Sequence, residues 1–297
     1  MYIINFIRGF CMALADSVPG VSGGTIAFIL GFYDKFIGSL DDLITGKKDE
    51  KIEALKFLIK IGIGWIVGFV LAMLFLGKVF ASHIYNISSL FIGFIIFAIP
   101  IIINEEKESL KNRYFNLIFT IIGIVIVAGI TYFNPAKGGV GVSIDDLSLG
   151  LSIYIFICGM IAISAMVLPG ISGSTLLVIF GLYAPVVNAV KEVLHFNLKY
   201  LPVVMIFGFG VLTGIVSIIK LVRILLKRYR SQTVYLILGL MIGSIYAVFM
   251  GPTSLEIPKD PMTLKTFNLV FFVIGGIIII GLQKLKKFFW QKVKNIE

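Results

Sequence analysis

One motif occurs twice in this chain, as Pro19-Gly20-Val21-Ser22-Gly23-Gly24-Thr25 and, 150 residues later, as Pro169-Gly170-Ile171-Ser172-Gly173-Ser174-Thr175. The match continues without a gap to Tyr33 and Tyr183, and eight of the fifteen positions from Pro19 to Tyr33 are identical. A block repeated at a fixed offset indicates a duplicated architecture. We therefore expect a single transmembrane domain over 1–297, built from two repeats of approximately 1–145 and 146–297.

The composition of the chain is that of a membrane protein. Hydrophobic residues make up 58% of the sequence and charged residues 14%, and the mean hydropathy is +1.02. Soluble domains are about 45–50% apolar and about 25% charged. A water-soluble enzyme is therefore excluded. Ten apolar segments follow one another along the chain, and only helices or closed barrels satisfy the backbone in lipid. The fold class predicted is an all-α polytopic membrane protein.

The basic residues lie mostly on one side of these segments. If the C-terminal lysines are cytoplasmic, alternation places 20 Lys and Arg inside and 6 outside. The inside then holds Arg8, the loops 35–60, 107–113 and 220–230, and the C-terminal lysines, and the outside holds Lys78, Lys137, Lys191, Lys199, Lys259 and Lys265. The positive-inside rule then puts both termini in the cytoplasm. This asymmetry explains the net charge of +10 without a nucleic-acid partner.

The two repeats are expected to have inverted topology. Each holds five apolar segments, and Pro-Gly separates the first two. If those two form a re-entrant hairpin, three transmembrane helices remain in each repeat. Both counts are odd, so the second repeat enters the membrane from the opposite side, as in many secondary transporters. We favour hairpins because the first arm is short and carries Arg8 and Asp16. The second-half arms are about 20 residues each, so crossing helices stay possible.

The chemistry of the repeated motif suits an anion. Proline ends the preceding helix, glycine permits a close backbone approach, and serine or threonine caps the next helix. The N–H groups at a helix start favour phosphate.

The alternative is that these small residues only allow helices to pack closely, which is our interpretation of Gly64-xxx-Gly68, Gly210-xxx-Gly214 and Gly239-xxx-Gly243. The candidate substrate-binding residues are Arg8, Pro19, Gly20, Ser22, Gly23, Gly24, Thr25, Gly170, Ser172, Gly173, Ser174 and Thr175.

Two ionisable residues lie close to the first copy of the motif. Arg8 and Asp16 are two helical turns apart on one face. A charge inside the membrane suggests a function, so Asp16 is the candidate for coupling to a proton or sodium ion, and Arg8 for gripping a phosphate. Alternatively, Arg8 extends to the membrane surface and Asp16 simply ends its helix. The second repeat has Cys158 and Met166 at these places.

Other chemistries find little support. Gly20-Val21-Ser22-Gly23-Gly24 matches a serine-hydrolase string, but the only histidines, His83 and His195, fall on expected outer loops. No catalytic residue is therefore assigned. No metal-ligand spacing and no nucleotide motif occurs, so we expect no metal and no cofactor. Acidic residues such as Asp41, Asp42 and Glu106 are expected on solvated loops.

The motif residues resemble a known family. The stretch Ala15–Ala27 with Gly31-Phe32-Tyr33, and the stretch Leu168–Ser174, resemble the two signatures of PopT-type undecaprenyl-phosphate translocases, and the resemblance covers nearly the whole chain. It implies a flippase in the bacterial cell membrane that returns undecaprenyl phosphate from the outer to the cytoplasmic leaflet for cell-wall synthesis. Thr175 departs from the pattern, which commonly has a bulkier apolar residue there.

Two other functions remain as alternatives. One is secondary transport of a small soluble anion, and the other is an intramembrane serine hydrolase. A homodimer is also possible.

Overall fold

The computed structural model describes residues 2–16, 22–72, 83–132, 144, 147–254 and 259–294. The α-helices of more than one turn in these ranges are α1 Tyr2–Asp16, α2 Gly23–Ile29, α3 Tyr33–Thr45, α4 Lys48–Leu71, α5 Ile84–Glu105, α6 Leu117–Tyr132, α7 Leu149–Val167, α8 Gly173–Ile179, α9 Tyr183–Leu194, α10 Leu201–Arg228, α11 Arg230–Met250 and α12 Leu269–Lys294. A single helical turn, Lys107–Leu110, lies between α5 and α6. The described residues form no β-strand. Six of their helical stretches are long and apolar enough to cross a bilayer, namely 48–71, 84–105, 114–132, 149–167, 198–228 and 230–253. The prediction of an all-α polytopic membrane protein is confirmed.

Helices α1–α6 and helices α7–α12 form two sets with the same order and the same kind of pairing. In the first six, α1 packs along α4, and in the second six, α7 packs along α10. The remaining long helices pair across the two sets, α5 with α12 and α11 with α6, and each of these pairs is the counterpart of the other. The pairing pattern is therefore duplicated in the same way as the sequence motif.

Glycines allow these paired helices to approach closely. A side-chain carbon at Gly64 would lie 2.0 Å from the carbonyl oxygen of Phe6, and one at Gly214 would lie 2.5 Å from that of Met160. A side-chain carbon at Gly239 would likewise lie 2.1 Å from the carbonyl oxygen of Thr120. The interpretation of the GxxxG pairs as packing devices is confirmed.

The second arm of each predicted hairpin is shorter than the sequence suggested. A helix of seven residues follows each Pro-Gly motif, and the chain then bends at Gly31 and Gly181 before α3 and α9. Both glycines have left-handed backbone angles, with φ of 64° and 66°. Phe32 N–H donates to the Ala27 carbonyl at 3.0 Å, which is the Schellman arrangement that ends a helix. The expectation of single second-half arms of about 20 residues is therefore wrong for the arm after the motif.

After each short helix the chain comes back beside the first arm. The Arg8 guanidinium lies 4.7 Å from the centre of the Phe32 ring, just beyond α2. The Tyr154 hydroxyl, near the start of α7, donates to the carbonyl of Phe180 at 2.9 Å, just beyond α8. We call each pair of arms a hairpin, and we call the motif residues between its arms, 19–25 or 169–175, the hairpin tip.

Charged side chains connect the two halves at one face. Arg223 near the end of α10 is ion-paired with Asp41 and, at 2.6 Å, with Asp42. Arg230 at the start of α11 pairs with Asp34 at 2.8 Å and with Glu106 at 2.5 Å. We call the surface that carries these six residues the ion-pair face.

The prediction that the acidic residues lie on solvated loops is wrong for Asp41 and Asp42. Both are on α3, paired with an arginine of the other half, and Asp41 is buried.

Candidate substrate-binding site

The two copies of the motif touch each other. Gly170 N–H donates to the Thr25 hydroxyl oxygen at 2.8 Å, and the Ser22 hydroxyl donates to the carbonyl of Leu168 at 3.2 Å. The Tyr33 hydroxyl adds a third bond, to the carbonyl of Val167 at 3.1 Å. The sequence separates these residues by more than 130 positions, yet the fold brings both hairpin tips to one place.

The contact depends on the residue types at the two tips. Gly170 has a φ of +90°, which disfavours any other residue, and a side chain there would collide with the backbone of Leu240 on α11. Gly24 is packed just as closely, since a side-chain carbon would lie 2.8 Å from the carbonyl oxygen of Val167. Part of the glycine pattern is therefore explained by packing at the contact itself.

Asp16 is connected directly to the first motif. Its Oδ1 accepts the Gly23 N–H at 2.6 Å, and its Oδ2 accepts the indole Nε1–H of Trp65 at 2.9 Å. The carboxylate therefore lies at the N-terminus of α2, where an anion is favoured electrostatically. Asp16 does more than end its own helix.

Trp65 is a functional candidate that the sequence interpretation missed. It lies on α4, an apolar helix, and it is one of only two tryptophans in the chain. A tryptophan inside a protein requires an acceptor for its indole N–H. Asp16 is the acidic residue that the sequence places inside the membrane, so a carboxylate acceptor for this tryptophan could have been expected. The sequence does not show that the two side chains lie next to each other.

Two of the first three N–H groups of α2, those of Gly23 and Thr25, already have acceptors. Gly23 N–H is bound by Asp16, and Thr25 N–H faces both the carbonyl of Ser22 at 2.9 Å and its hydroxyl at 3.4 Å. Ser22 and Thr25 are each 1% exposed. A phosphate at this helix start would have to replace the Asp16 carboxylate, and the site as it stands is closed to solvent.

Arg8 lies at the other end of α2. Its guanidinium donates to the Asn5 side chain at 3.0 Å and covers the Phe32 ring, whereas Asp16 binds at the start of α2. The predicted ligands Arg8 and Gly23 are therefore not brought together in this structure.

The second copy of the motif supplies fewer described side chains. Ser172 is buried, and a side-chain carbon at Gly173 would lie 2.5 Å from the carbonyl oxygen of Ala162. Ser174 and Thr175 lie on α8. Pro19 and Gly20 of the first copy lie outside the described residues.

The serine-hydrolase arrangement does not form at the first motif. The Ser22 hydroxyl donates to a backbone carbonyl, while His83 directly precedes α5 and His195 directly follows α9. Among the described residues, no group of His, Cys, Asp or Glu could hold a metal ion.

Comparison with known proteins gives a consistent assignment. Residues 12–266 match the family model described as VCA0040-like, undecaprenyl phosphate translocase-like. A polyprenyl-phosphate transporter of Staphylococcus aureus is 37% identical over 289 residues, which cover 95% of this chain and 96% of the relative. A polyprenyl-phosphate transporter of Vibrio cholerae is 32% identical over 266 residues, covering 86% of this chain and 80% of the relative. No solved structure matches.

Both relatives are named as transporters, and neither name describes an enzyme. Both the resemblance expected from the motifs and the family match span the two hairpins and the helices between them. The chain belongs to the undecaprenyl phosphate translocase-like family.

Proposed function

We propose that this protein carries a polyprenyl phosphate across the bacterial cell membrane, with the phosphate held where the two hairpin tips meet. The main support for this location of the phosphate site is the hydrogen bond between Gly170 and Thr25, which joins the two copies of the motif. The names of the two relatives support the substrate class. The lipid would be undecaprenyl phosphate, returned from the outer to the cytoplasmic leaflet for reuse in cell-wall polymer synthesis.

The direction of the helices supports two inverted repeats with re-entrant hairpins. Helix α1 runs parallel to α4, since Phe6 faces Gly64 and Phe10 faces Gly68, and α4 begins just after α3 at the ion-pair face. Helix α7 runs parallel to α10, which ends at that same face near Arg223. The two first arms therefore enter from opposite faces and reach the same central contact, as inverted repeats would require. Non-helical backbone is tolerated at membrane depth only where protein or a cavity surrounds it, and the described motif residues Ser22, Thr25 and Ser172 are buried.

Competition between Asp16 and the substrate would couple transport to an ion. Both the carboxylate and a phosphate oxygen are acceptors for the Gly23 N–H, so the phosphate gains that N–H only when Asp16 releases it. A protonated carboxyl, or one that binds sodium, is a weaker acceptor than a free carboxylate. Binding of the proton or sodium ion would therefore favour binding of the phosphate. Arg8, at the opposite end of α2, would attract the headgroup as it moves away from the tips.

The central contact is tested by Thr25→Val, which keeps the shape of the side chain and removes the acceptor of the Gly170 N–H. A buried N–H without a partner costs about 1–3 kcal/mol, so we expect transport to be slower by roughly fivefold or more. The assay follows a labelled polyprenyl phosphate between the leaflets of proteoliposomes. Thr131→Val is the matched control, because the buried Thr131 hydroxyl donates only to the Val127 carbonyl of its own helix.

The same vesicles separate the alternative functions. Uptake of inorganic phosphate without movement of the lipid would favour a soluble-anion transporter. Unchanged lipid transport by Thr25→Val would show that the contact between the tips is structural and that the headgroup binds elsewhere.

A further inference from the structure

Ion pairs connect the two halves of the molecule at the ion-pair face. Asp34, Asp41 and Asp42 lie on α3 and Glu106 follows α5, all in the first half. Their partners Arg223 and Arg230 lie on α10 and α11, in the second half. Arg230 binds Glu106 through two nitrogens, with Nε at 2.9 Å and Nη2 at 2.5 Å. Separating the halves at this face therefore requires both arginines to leave their carboxylates.

The sequence has no equivalent of this arrangement at the opposite face. The 150-residue offset relates Arg223 and Arg230 to Met73 and Phe80, and Asp34 and Asp41 to Ala184 and Lys191. Among the described residues, α3 packs against α10 of the other half, and its counterpart α9 packs against α8 and α10 of its own half. Helix α3 thus joins the two halves, and the ion pairs that hold it there involve arginines that have no basic counterpart in the other repeat.

A small cavity lies between the first hairpin and one of the ion-pair clusters. Its volume is about 100 Å³, and its walls include Phe28 and Gly31 at the end of α2, Ile102 on α5, and Glu106 and Arg230. The Arg230 cluster therefore forms the wall of this cavity on the side of the ion-pair face, opposite the end of α2. Arg230 and Asp34 are also partly exposed, 40% and 51%. Ion pairs that retain contact with water are weak individually and can break without burying a bare charge.

We propose that the Arg223 and Arg230 clusters form a gate between the hairpin tips and the ion-pair face, and that this structure shows the gate closed. The lipid headgroup leaves the central site toward this face only when α3 separates from α10 and α11. The inference rests on the proposed transport function, and it adds the residues that control passage at one side. These residues touch neither motif copy.

Reversible crosslinking tests the gate. Cys11 and Cys158 are first replaced by alanine, and Asp42→Cys and Arg223→Cys are introduced together. A short bis-methanethiosulfonate reagent then links α3 to α10 in proteoliposomes. We expect lipid phosphate transport to fall at least tenfold on linking and to recover when the link is reduced. The pair Asp34→Cys and Arg230→Cys should behave in the same way.

A matched control links two residues within one half. Glu192 is the counterpart of Asp42 in the repeat, and its Oε2 accepts the Asn197 side-chain amide at 2.8 Å. The pair Glu192→Cys and Asn197→Cys should transport equally well with and without the link. Transport at the unlinked rate by either linked gate pair would overturn the gate. Failure of the unmodified protein to move lipid phosphate at all would instead reject the proposed function.

A second measurement does not depend on transport activity. Ile102 lines the cavity and is 2% exposed, so a cysteine at this position should react slowly with a water-soluble maleimide. Arg230→Gln in the same background removes the charge that holds Asp34 and Glu106, and should raise that reaction rate several-fold. An unchanged rate would also overturn the gate.

Discussion

At the scale of single residues, Asp16 is where the structure adds most to the sequence. Position and charge identified it as a candidate, but only the fold shows that its two oxygens bind Gly23 N–H and Trp65 Nε1–H. The angle between α1 and α2 and the position of α4 determine both contacts. No local pattern encodes them, so the carboxylate could be predicted and its partners could not.

Asp16→Asn should separate binding from coupling. The amide oxygen can still accept the Gly23 N–H, but the side chain can no longer take up and release a proton, and its NH₂ group cannot accept from Trp65. We expect lipid phosphate binding within a few-fold of wild type, and transport that no longer responds to an imposed pH or sodium gradient. The measurement is lipid transport in proteoliposomes with and without each gradient. Asp260→Asn on an exposed loop is the control. A variant that keeps the full gradient response would remove Asp16 from the coupling step.

At the scale of elements, Gly31 and Gly181 determine where the short helices end. The repeat aligned these glycines, yet their backbone angles became visible only in the structure. The uncharged stretches of sequence continue past both positions. Hydropathy depends only on residue type, so it gives no sign of a bend that a left-handed glycine introduces into an apolar segment. This is why ten apolar segments were expected whereas the described residues form two extra helices, α3 and α9. The helices themselves followed directly from composition and the requirements of the bilayer.

Replacing either glycine by alanine tests this role. A side chain in the left-handed conformation costs about 1–2 kcal/mol, so Gly31→Ala and Gly181→Ala should each lower the melting temperature of the purified protein. Gly129→Ala is the control, since this α6 glycine has no atom within 4 Å of an added carbon. Alanine is the better helix former by roughly 0.5–1 kcal/mol, so that variant should not be destabilised. Equal melting temperatures for all three variants would mean that the bends do not depend on glycine.

At the scale of the whole molecule, the contacts group the basic segments as the sequence predicted. Arg230 joins Asp34 to Glu106, and Gln283 on α12 donates to Glu105 at 2.8 Å, so loops that were all assigned to the inside lie together. On the opposite side, Tyr85 donates to the Asp260 carbonyl and Asn268 to the Asn86 side chain, which joins two segments assigned to the outside. The pairing of specific arginines with specific carboxylates was not predictable, because each pair joins residues more than 100 positions apart.

The orientation of this arrangement in the membrane is the remaining prediction. Because basic residues are retained on the cytoplasmic side, the ion-pair face should be cytoplasmic and the loop around Lys265 external. Cysteines at Lys48 and Lys227, both exposed near that face, should be shielded from an impermeant thiol reagent in intact cells, whereas a cysteine at Lys265 should react. All three should react after permeabilisation. The opposite labelling pattern would place the Arg223 and Arg230 clusters outside. The gate would then control entry of the lipid phosphate from the outer leaflet, since the headgroup would meet it before reaching the hairpin tips.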